Sequence, residues 1–543
     1  MATGTLLPMN GNTARNGVFV SYSRRDGEPF AGRLRADIAA KGIPVWQDRT
    51  GMEGGRDWWE QIKEALDRVE YMVLVMTPAA LASEIVRKEW RYARQQGVCV
   101  YPVIGDSAID IDSLPRWMRT AHWYDLDHQR EKFFNDLNTR CQLRPVPFMG
   151  RSLPADFVDR PAEFHALKSL LLSGDQQEPV ALTAALRSAG GYGKTTLAAA
   201  LCHDDDVQSA FDDGILWITV GESPGPAELI GKLGDLIETL SGERPGFQGL
   251  DATTTRFAEL LADRDILLVI DDVWRASDLH PFLAGGTRCA RLITTRRGDV
   301  LPGDCSKIAV DRMADDEALR LLTHGLPDGF SDRMAPLASR LGQWPLLLKL
   351  ANAWLRKRIQ ESREPPAAAL KRFEQALDSR GITAFDDRNP EGRDAAVAAT
   401  LVLSLESLDE ADRNRMLELA VFEEDLAISL AVLETYWRHT GGIDELDVEE
   451  TCRRLFDDSM LVDLDLAERS VRLHDTVRAW LLVRTGKDLP VLHDRLLASY
   501  DGGGNAWHRV PDDGYLYAHL AQHLAEARRL EELKHLLLDL DWM

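Results

Sequence analysis

The segment Leu267-Leu268-Val269-Ile270-Asp271-Asp272-Val273-Trp274 constrains this chain more than any other, because an unbroken apolar run there ends in paired carboxylates. Such a run reads as a strand buried on both faces, hence part of a parallel sheet covered by helices, with its acids delivered to the carboxyl edge. Upstream, Gly190-Gly191-Tyr192-Gly193-Lys194-Thr195-Thr196 reads as a glycine-rich turn opening a helix. Backbone N–H groups of such a turn wrap phosphate oxygens, Lys194 neutralises them, and the Thr195 hydroxyl faces Mg²⁺. Asp271 then holds Mg²⁺ through water, and Asp272 polarises or positions an attacking water. Gly191, Gly193 and Thr196 complete the cradle. In this order the two segments predict an α/β domain that binds ATP or ADP. The full pattern asks for glycine five positions before Gly193, where Ser188 stands. That substitution bears on affinity and hydrolysis rate, since serine does not readily take the left-handed conformations open to glycine.

At 543 residues the chain is too long for one core and predicts several domains. Its formal net charge of −23 argues against a general nucleic-acid or anionic-membrane binder, which needs a basic footprint. Cys99, Cys141, Cys202, Cys289, Cys305 and Cys452 show no C-x-x-C spacing. That scatter predicts reduced thiols in a cytosol, with neither a disulfide framework nor a zinc site. No signal-peptide core and no apolar run of membrane-spanning length stand in the sequence, so the expected location is cytoplasmic.

Residues 1–16 read as a loose leader. From Val18 short apolar strands alternate with amphipathic helices: strands at Val18–Tyr22, Ile43–Trp46, Tyr71–Met76 and Val98–Ile104, helices at Phe30–Ala40, Trp58–Val69 and Ser83–Gln96. This alternation predicts a parallel sheet covered on both faces, with ligands at the carboxyl edge. Arg144-Pro145-Val146-Pro147 through Pro154 then has the proline spacing of an extended linker. Glu361–Pro366 and Ser379–Arg393 read as charged loops.

Three boxes in the first of these regions carry a resemblance. Phe19 to Asp26, Val45-Trp46-Gln47-Asp48, and Ser83 to Trp90 resemble the successive boxes of a TIR domain, over roughly Gly17 to Leu143. Such domains are of two kinds, protein-interaction scaffolds and enzymes that cleave NAD⁺. In the catalytic kind a glutamate follows the third strand, and it matches Glu89. Breaking the nicotinamide–ribose bond releases a neutral leaving group, so no general acid is required. A carboxylate stabilises the oxocarbenium-like charge left on the ribose. Glu89 lies at the edge of the helix stripe formed by Val86, Trp90 and Ala93. The plain alternative is a solvated glutamate paired with Arg94 or Lys88. Phe19, Arg24, Trp46 and Asp48 are the candidate NAD⁺ contacts, with core packing the equal alternative for Phe19 and Trp46. Gly51-Met52-Glu53-Gly54-Gly55 has the place of a TIR interface loop or of a simple connection.

Further boxes flank the glycine-rich turn. Phe157-Val158-Asp159-Arg160 resembles the adenine-side box of NB-ARC ATPases. Ile293-Thr294-Thr295-Arg296 reads as a strand ending in an arginine that senses the terminal phosphate. Gly342-Gln343-Trp344-Pro345 resembles the family's proline box, with bulkier residues at 343 and 344. Val471-Arg472-Leu473-His474-Asp475 resembles the histidine-aspartate box whose histidine touches the β-phosphate of ADP. The whole is similar to the NB-ARC branch of signal-transducing ATPases, shared by plant disease-resistance proteins and apoptotic activating factors. Asp272 as a structural acid and His474 as an ordinary helix-start residue stay open as alternatives.

The resemblance implies an α/β fold class: a flavodoxin-like TIR domain at 17–145, a linker at 146–156, and a P-loop α/β nucleotide-binding domain at 157–305. A helical domain at 306–385, a winged-helix domain at 386–489 and a helical segment at 490–543 follow. In related proteins that last segment leads into a repeat sensor array, which is either absent here or cut away. His519 and His523 share a face of this segment, with packing favoured over metal. The implied cofactors are ATP or ADP and Mg²⁺, with NAD⁺ as substrate. The implied partners are other copies of the chain, assembled in an ATP-dependent way through the switch domain and TIR–TIR contacts so that paired TIR domains hydrolyse NAD⁺, and an unknown activating ligand, with no membrane and with nucleic acid disfavoured. Two other functions remain: a non-catalytic TIR scaffold, and an ATPase-regulated transcription factor, which overall acidity and the lack of a basic recognition helix near Val448–Val483 disfavour.

Overall fold

The computed structural model describes residues 15–538 apart from 47–57, 107, 113, 142, 174–178, 184–190, 223, 247–248, 328–330, 380–389, 424–425, 501–506 and 512. Asp48, the loop at Gly51–Gly55 and Ser188 therefore lie outside the described residues.

The first unit runs β1 (Val18–Ser21), α1 (Glu28–Ala40), β2 (Val45–Trp46), α2 (Trp58–Arg68), β3 (Tyr71–Met76), α3 (Pro78–Leu81), α4 (Glu84–Gln95), β4 (Cys99–Ile104), α5 (Arg116–Thr120) and α6 (Leu126–Leu137). All pairings are parallel and the strand order is β2-β1-β3-β4, the doubly wound order expected from the alternation. β3 is buried along its whole length, as an unbroken apolar strand between two others must be. Helix α4 starts where the Ser83 hydroxyl accepts the Val86 N–H, and Glu84 sits in its positive first turn. Its buried stripe includes Val86, Trp90 and Ala93. The thiol reading needs correcting here: Cys99 of β4 and Cys141, just after α6, form a disulfide, with Cα atoms 5.9 Å apart. Their separation of 42 residues hid the contact. The other four cysteines are buried free thiols.

A second parallel sheet follows: α7 (Pro161–Ser173), β5 (Val180–Thr183), α8 (Lys194–Cys202), α9 (Asp205–Ala210), β6 (Gly214–Gly221), α10 (Pro226–Ser241), α11 (Leu250–Leu261), β7 (Ile266–Val273), α12 (Ala276–Leu283), β8 (Ala290–Thr295) and β9 (Ser306–Ala309). The order β6-β7-β8-β5-β9 places β7, the apolar run that ends in paired carboxylates, inside the sheet. Helices α13 (Asp315–Thr323), α14 (Ser331–Arg340), α15 (Pro345–Arg356) and α16 (Pro366–Ser379) form a helical layer. Next come α17 (Pro390–Ser407), α18 (Glu410–Glu418), β10 (Ile428–Ser429), α19 (Leu430–Gly441), α20 (Glu445–Asp457), β11 (Leu461–Asp465), β12 (Ser470–Leu473) and α21 (Asp475–Thr485). Their small antiparallel sheet, ordered β10-β12-β11 beside helices, is a winged-helix arrangement. The loop expected up to Arg393 is in part helix, since α17 begins at Pro390, where proline suits a first turn.

The last helices are α22 (Leu489–Ser499), α23 (Leu516–Glu526) and α24 (Leu530–Leu536). Arg528, with φ of 60°, separates α23 from α24. His523 is buried, with its Nδ1 2.8 Å from His493 Nδ1 and its Nε2 2.7 Å from the Tyr515 hydroxyl, so it packs the joint between α22 and α23. No described helix is long and apolar enough to cross a membrane.

The two parallel-sheet units touch. Met149 N–H donates to the Ile215 carbonyl and Ile215 N–H to the Pro147 carbonyl, each at 2.9 Å, so the joining segment runs along the edge strand β6. Helix α4 lies against α9. Lys88 and Arg91 each pair with Asp205 at 3.0 Å, Arg91 also donates to Ser209 at 2.6 Å, and Arg94 donates to the Asp212 carbonyl at 2.8 Å. Burial pushes the Asp212 carboxyl up to about 7, opposed by Arg94.

Candidate functional site

The glycine-rich turn ends at Gly193, whose φ of 85° lets α8 begin with its N–H groups directed out of the turn. A Cβ on Gly193 would meet nothing within 4 Å, so open space faces this turn. Gly191, with φ of 76°, is held differently: a Cβ there would lie 2.9 Å from Leu346 and 3.1 Å from Trp344 Nε1. The bulky Trp344 stacks on Tyr192 at 5.6 Å and 21°, so the proline box supports the turn from below, with Pro345 opening α15. Arg160 also acts on the turn itself, donating to the Tyr192 carbonyl at 3.0 Å while pairing with Glu163 at 2.5 Å.

Lys194 opens α8 and is 8% exposed. Burial, then the Arg296 charge, pushes its ammonium down to about 8, with Asp272, Asp271 and Asp311 opposing. Thr195 Oγ1 donates to Asp271 Oδ1 at 2.9 Å, and Thr294 Oγ1 donates to the same oxygen at 2.6 Å. With its proton given to Asp271, the Thr195 oxygen keeps lone pairs for a hard cation, which is the donor chemistry Mg²⁺ requires. Thr196 follows in the first turn of α8. Asp272 has φ of 54°; its Oδ2 accepts Trp274 Nε1 at 2.7 Å, and its Oδ1 is 3.8 Å from Arg296 Nε. Arg296 lies just past β8, 4.9 Å over the Trp274 ring.

His474 reaches this site from the other side. Burial and then the charges of Arg296, Lys349 and Lys194 hold its imidazole down to about 3. Its Nδ1 accepts the Thr476 N–H at 3.1 Å, capping α21, so the neutral ring carries its proton on Nε2. Lys194, Arg296 and His474, from three distant segments, thus lie within electrostatic reach of one another, and an anion among them would relieve the strain between the two cations.

In the first unit, Glu89 is 7% exposed and accepts the Ser21 hydroxyl at 2.5 Å. The surface pairing with Lys88 or Arg94 is excluded, because both of those cations point at the second unit. Phe19 and Ser21 alternate onto the same face of the sheet, where α4 lies. Phe19 is 1% exposed in the core, and half-buried Trp46 stacks on it at 4.9 Å and 14°, the packing alternative for this pair. Arg24 is exposed in the turn after β1.

The TIR domain family matches residues 18–139, the NB-ARC domain family residues 162–326, and the APAF-1 helical domain family residues 489–543. The chain carries a TIR-family region followed by an NB-ARC-family region. Among curated proteins it is similar to apoptotic protease-activating factor 1 of Danio rerio, 25% identical over 72% of this chain and 31% of that protein. It is also similar to the regulatory protein AfsR of Streptomyces coelicolor, 30% identical over 62% of this chain and 33% of AfsR. The disease resistance protein ADR1 of Arabidopsis thaliana is 27% identical over 50% of this chain and 31% of its own length. The chain thus spans about a third of the length of these relatives.

Several residues of the NB-ARC and TIR sites escaped the sequence reading. Thr294 lay inside the box ending at Arg296, and a hydroxyl on a buried strand needs a partner, so it was findable. Ser21 lay inside the first TIR box and was findable by the same argument. Lys349, 2.8 Å from Asp156, and Arg151, 3.5 Å from Asp271, left no signal, because neither sits in a motif.

Proposed function

We propose that this protein is a nucleotide-switched signalling protein whose TIR domain cleaves NAD⁺ when the switch releases it. The observation that carries this reading is the position of α4: the helix bearing Glu89 rests on α9, the next helix after the P-loop helix α8. A change at the phosphate cradle therefore has a short mechanical route to the acid. Lys194, Arg296 and the neutral His474 would hold the phosphates of ATP or ADP, while Thr195 and Asp271 would hold Mg²⁺. The metal supplies positive charge opposite the phosphate oxygens. His474 belongs to the winged-helix region, so a diphosphate that it touches favours the closed packing, and ATP favours an open one that assembles with other copies.

At the TIR site the N-glycosidic bond breaks and nicotinamide departs with the bonding pair, neutral. The ribosyl cation is stabilised by the Glu89 carboxylate, which Ser21 orients. Water adds its oxygen to that carbon and loses a proton, giving ADP-ribose; attack by the adenine ring instead gives a cyclic product. The test is nicotinamide release by the purified chain with NAD⁺, in ADP and in ATP with Mg²⁺. Release stimulated by ATP supports the reading. An assembled protein that leaves NAD⁺ intact overturns it and leaves a TIR scaffold.

A further inference from the structure

Arg151 lies in the segment joining the TIR domain to the NB-ARC domain. Its Nη2 donates to Thr219 Oγ1 at 2.6 Å, and its Nη1 stands 3.5 Å from Asp271 Oδ2. Its guanidinium carbon lies 5.1 Å from the centroid of the Trp217 ring, a cation–π position that fixes the plane. The Arg151 carbonyl accepts the His203 ring Nε2 at 2.8 Å, and His203 is the residue that ends α8. One linker residue therefore touches β6, the acid of β7, and the far end of the P-loop helix.

Asp271 divides its two oxygens. Oδ1 takes the hydroxyls of Thr195 and Thr294, and Oδ2 faces Arg151. The residue is 2% exposed, and a carboxylate this buried needs a cation. Arg151 is one such cation. Mg²⁺ held beside Thr195 is another, and two cations on one small carboxylate repel each other.

We propose that Arg151 is a positioning residue acting through Asp271: it balances the carboxylate when Mg²⁺ is away and gives way when Mg²⁺ binds. The proposal rests on the reading of Asp271 as the Mg²⁺-facing acid. Coupling of this kind is reciprocal, so Mg²⁺ loosens the joining segment, and loosening that segment tightens Mg²⁺. The metal state of the nucleotide site is thereby passed to the tether that holds the TIR domain on β6.

The test uses the full chain saturated with ADP and Mn²⁺ as probe, with bound metal read by electron paramagnetic resonance. Arg151→Gln should bind Mn²⁺ roughly 10-fold more tightly, within the usual range of such couplings. Arg151→Lys keeps the charge and should bind close to the parental affinity. Amide hydrogen exchange supplies a second readout: Mn²⁺ should speed exchange at Met149 in the parent, and Arg151→Gln should exchange fast without metal. Should Arg151→Gln fail to fold, Thr219→Val frees the guanidinium from its anchor, and it too should tighten Mn²⁺. Unchanged or weaker Mn²⁺ binding in a folded Arg151→Gln, or in Thr219→Val where that variant stands in, overturns the proposal alone. A parent that binds ADP yet no Mn²⁺ overturns the reading of Asp271, and the proposal with it.

Discussion

The proposed phosphate site and the proposed acid site are built by opposite means. The first gathers Lys194, Asp271, Arg296 and His474 from separate segments, and each sits in a motif that announces its chemistry. The second rests on Glu89 and the strand serine beneath it. A phosphate cradle demands backbone N–H groups, a cation and a metal-facing acid in fixed relation, so it leaves a long imprint in the sequence. A carboxylate that steadies a transient cation needs only burial and orientation. Its imprint is one letter.

The sharpest way to break the contrast is Glu89→Gln, which keeps shape and removes charge. Nicotinamide release should fall about 10²–10³-fold, while nucleotide binding, read by calorimetry, stays parental. Parental NAD⁺ consumption by this variant would remove Glu89 from the chemistry. Lys194→Ala tests the other site. Loss of a charged hydrogen bond of this type should weaken ATP roughly 10–100-fold and suppress ATP-dependent assembly by light scattering. Unchanged ATP affinity sinks the cradle assignment.

A smaller effect should join the two sites. Asp205→Arg sets like charges opposite Lys88 and Arg91, so basal NAD⁺ cleavage in ADP should rise several-fold. The compensating pair Asp205→Arg with Arg91→Asp should lower it again, and failure of that rescue rules out release of α4 as the cause. The smallest effect is on stability. His474, held down to about 3, stays neutral in the folded chain while an unfolded histidine protonates near 6.5. The unfolded state therefore binds more protons as pH falls below about 6.5, and stability declines through that window. His474→Asn keeps an N-cap acceptor and should flatten the acid side of the melting profile by differential scanning calorimetry. An unchanged slope places the acid sensitivity elsewhere, with His493 and His523 as the next histidines to vary.

The sequence carried the parallel sheets plainly, because apolar runs such as Tyr71–Met76 and Leu267–Ile270 have one comfortable environment. Through family resemblance it also marked His474 as a candidate phosphate contact, and the structure sets its imidazole within the electrostatic reach of Arg296, Lys349 and Lys194. What it hid were contacts without local pattern. Cys99 and Cys141 pair only because α6 returns the chain to the start of β4. The face of α4 bearing Lys88, Arg91 and Arg94 looked like a solvated helix surface, since alternating charges at helical spacing read the same whether they face water or a partner. Phe19 was ambiguous for a related reason: an aromatic in a strand suits a core and a ligand wall equally well.

The attachment of Pro147–Met149 to β6 has a kinetic side. The segment is still held to the first unit at Val146, whose N–H donates to the Arg94 carbonyl, and the next residue, Pro147, already accepts from Ile215 of β6, so the tether between the units is very short. So short a leash gives the acidic ridge of α9 an effective concentration in the millimolar range at α4. Any TIR domain arriving from another chain competes against that figure rather than against empty solvent. Under the proposed switch, ion pairs that are individually weak would thus suffice to keep a lone chain quiet. Only an assembly that crowds TIR domains to comparable density would outbid the leash, and the proposed signal would take its threshold from tether length rather than from the strength of any single contact.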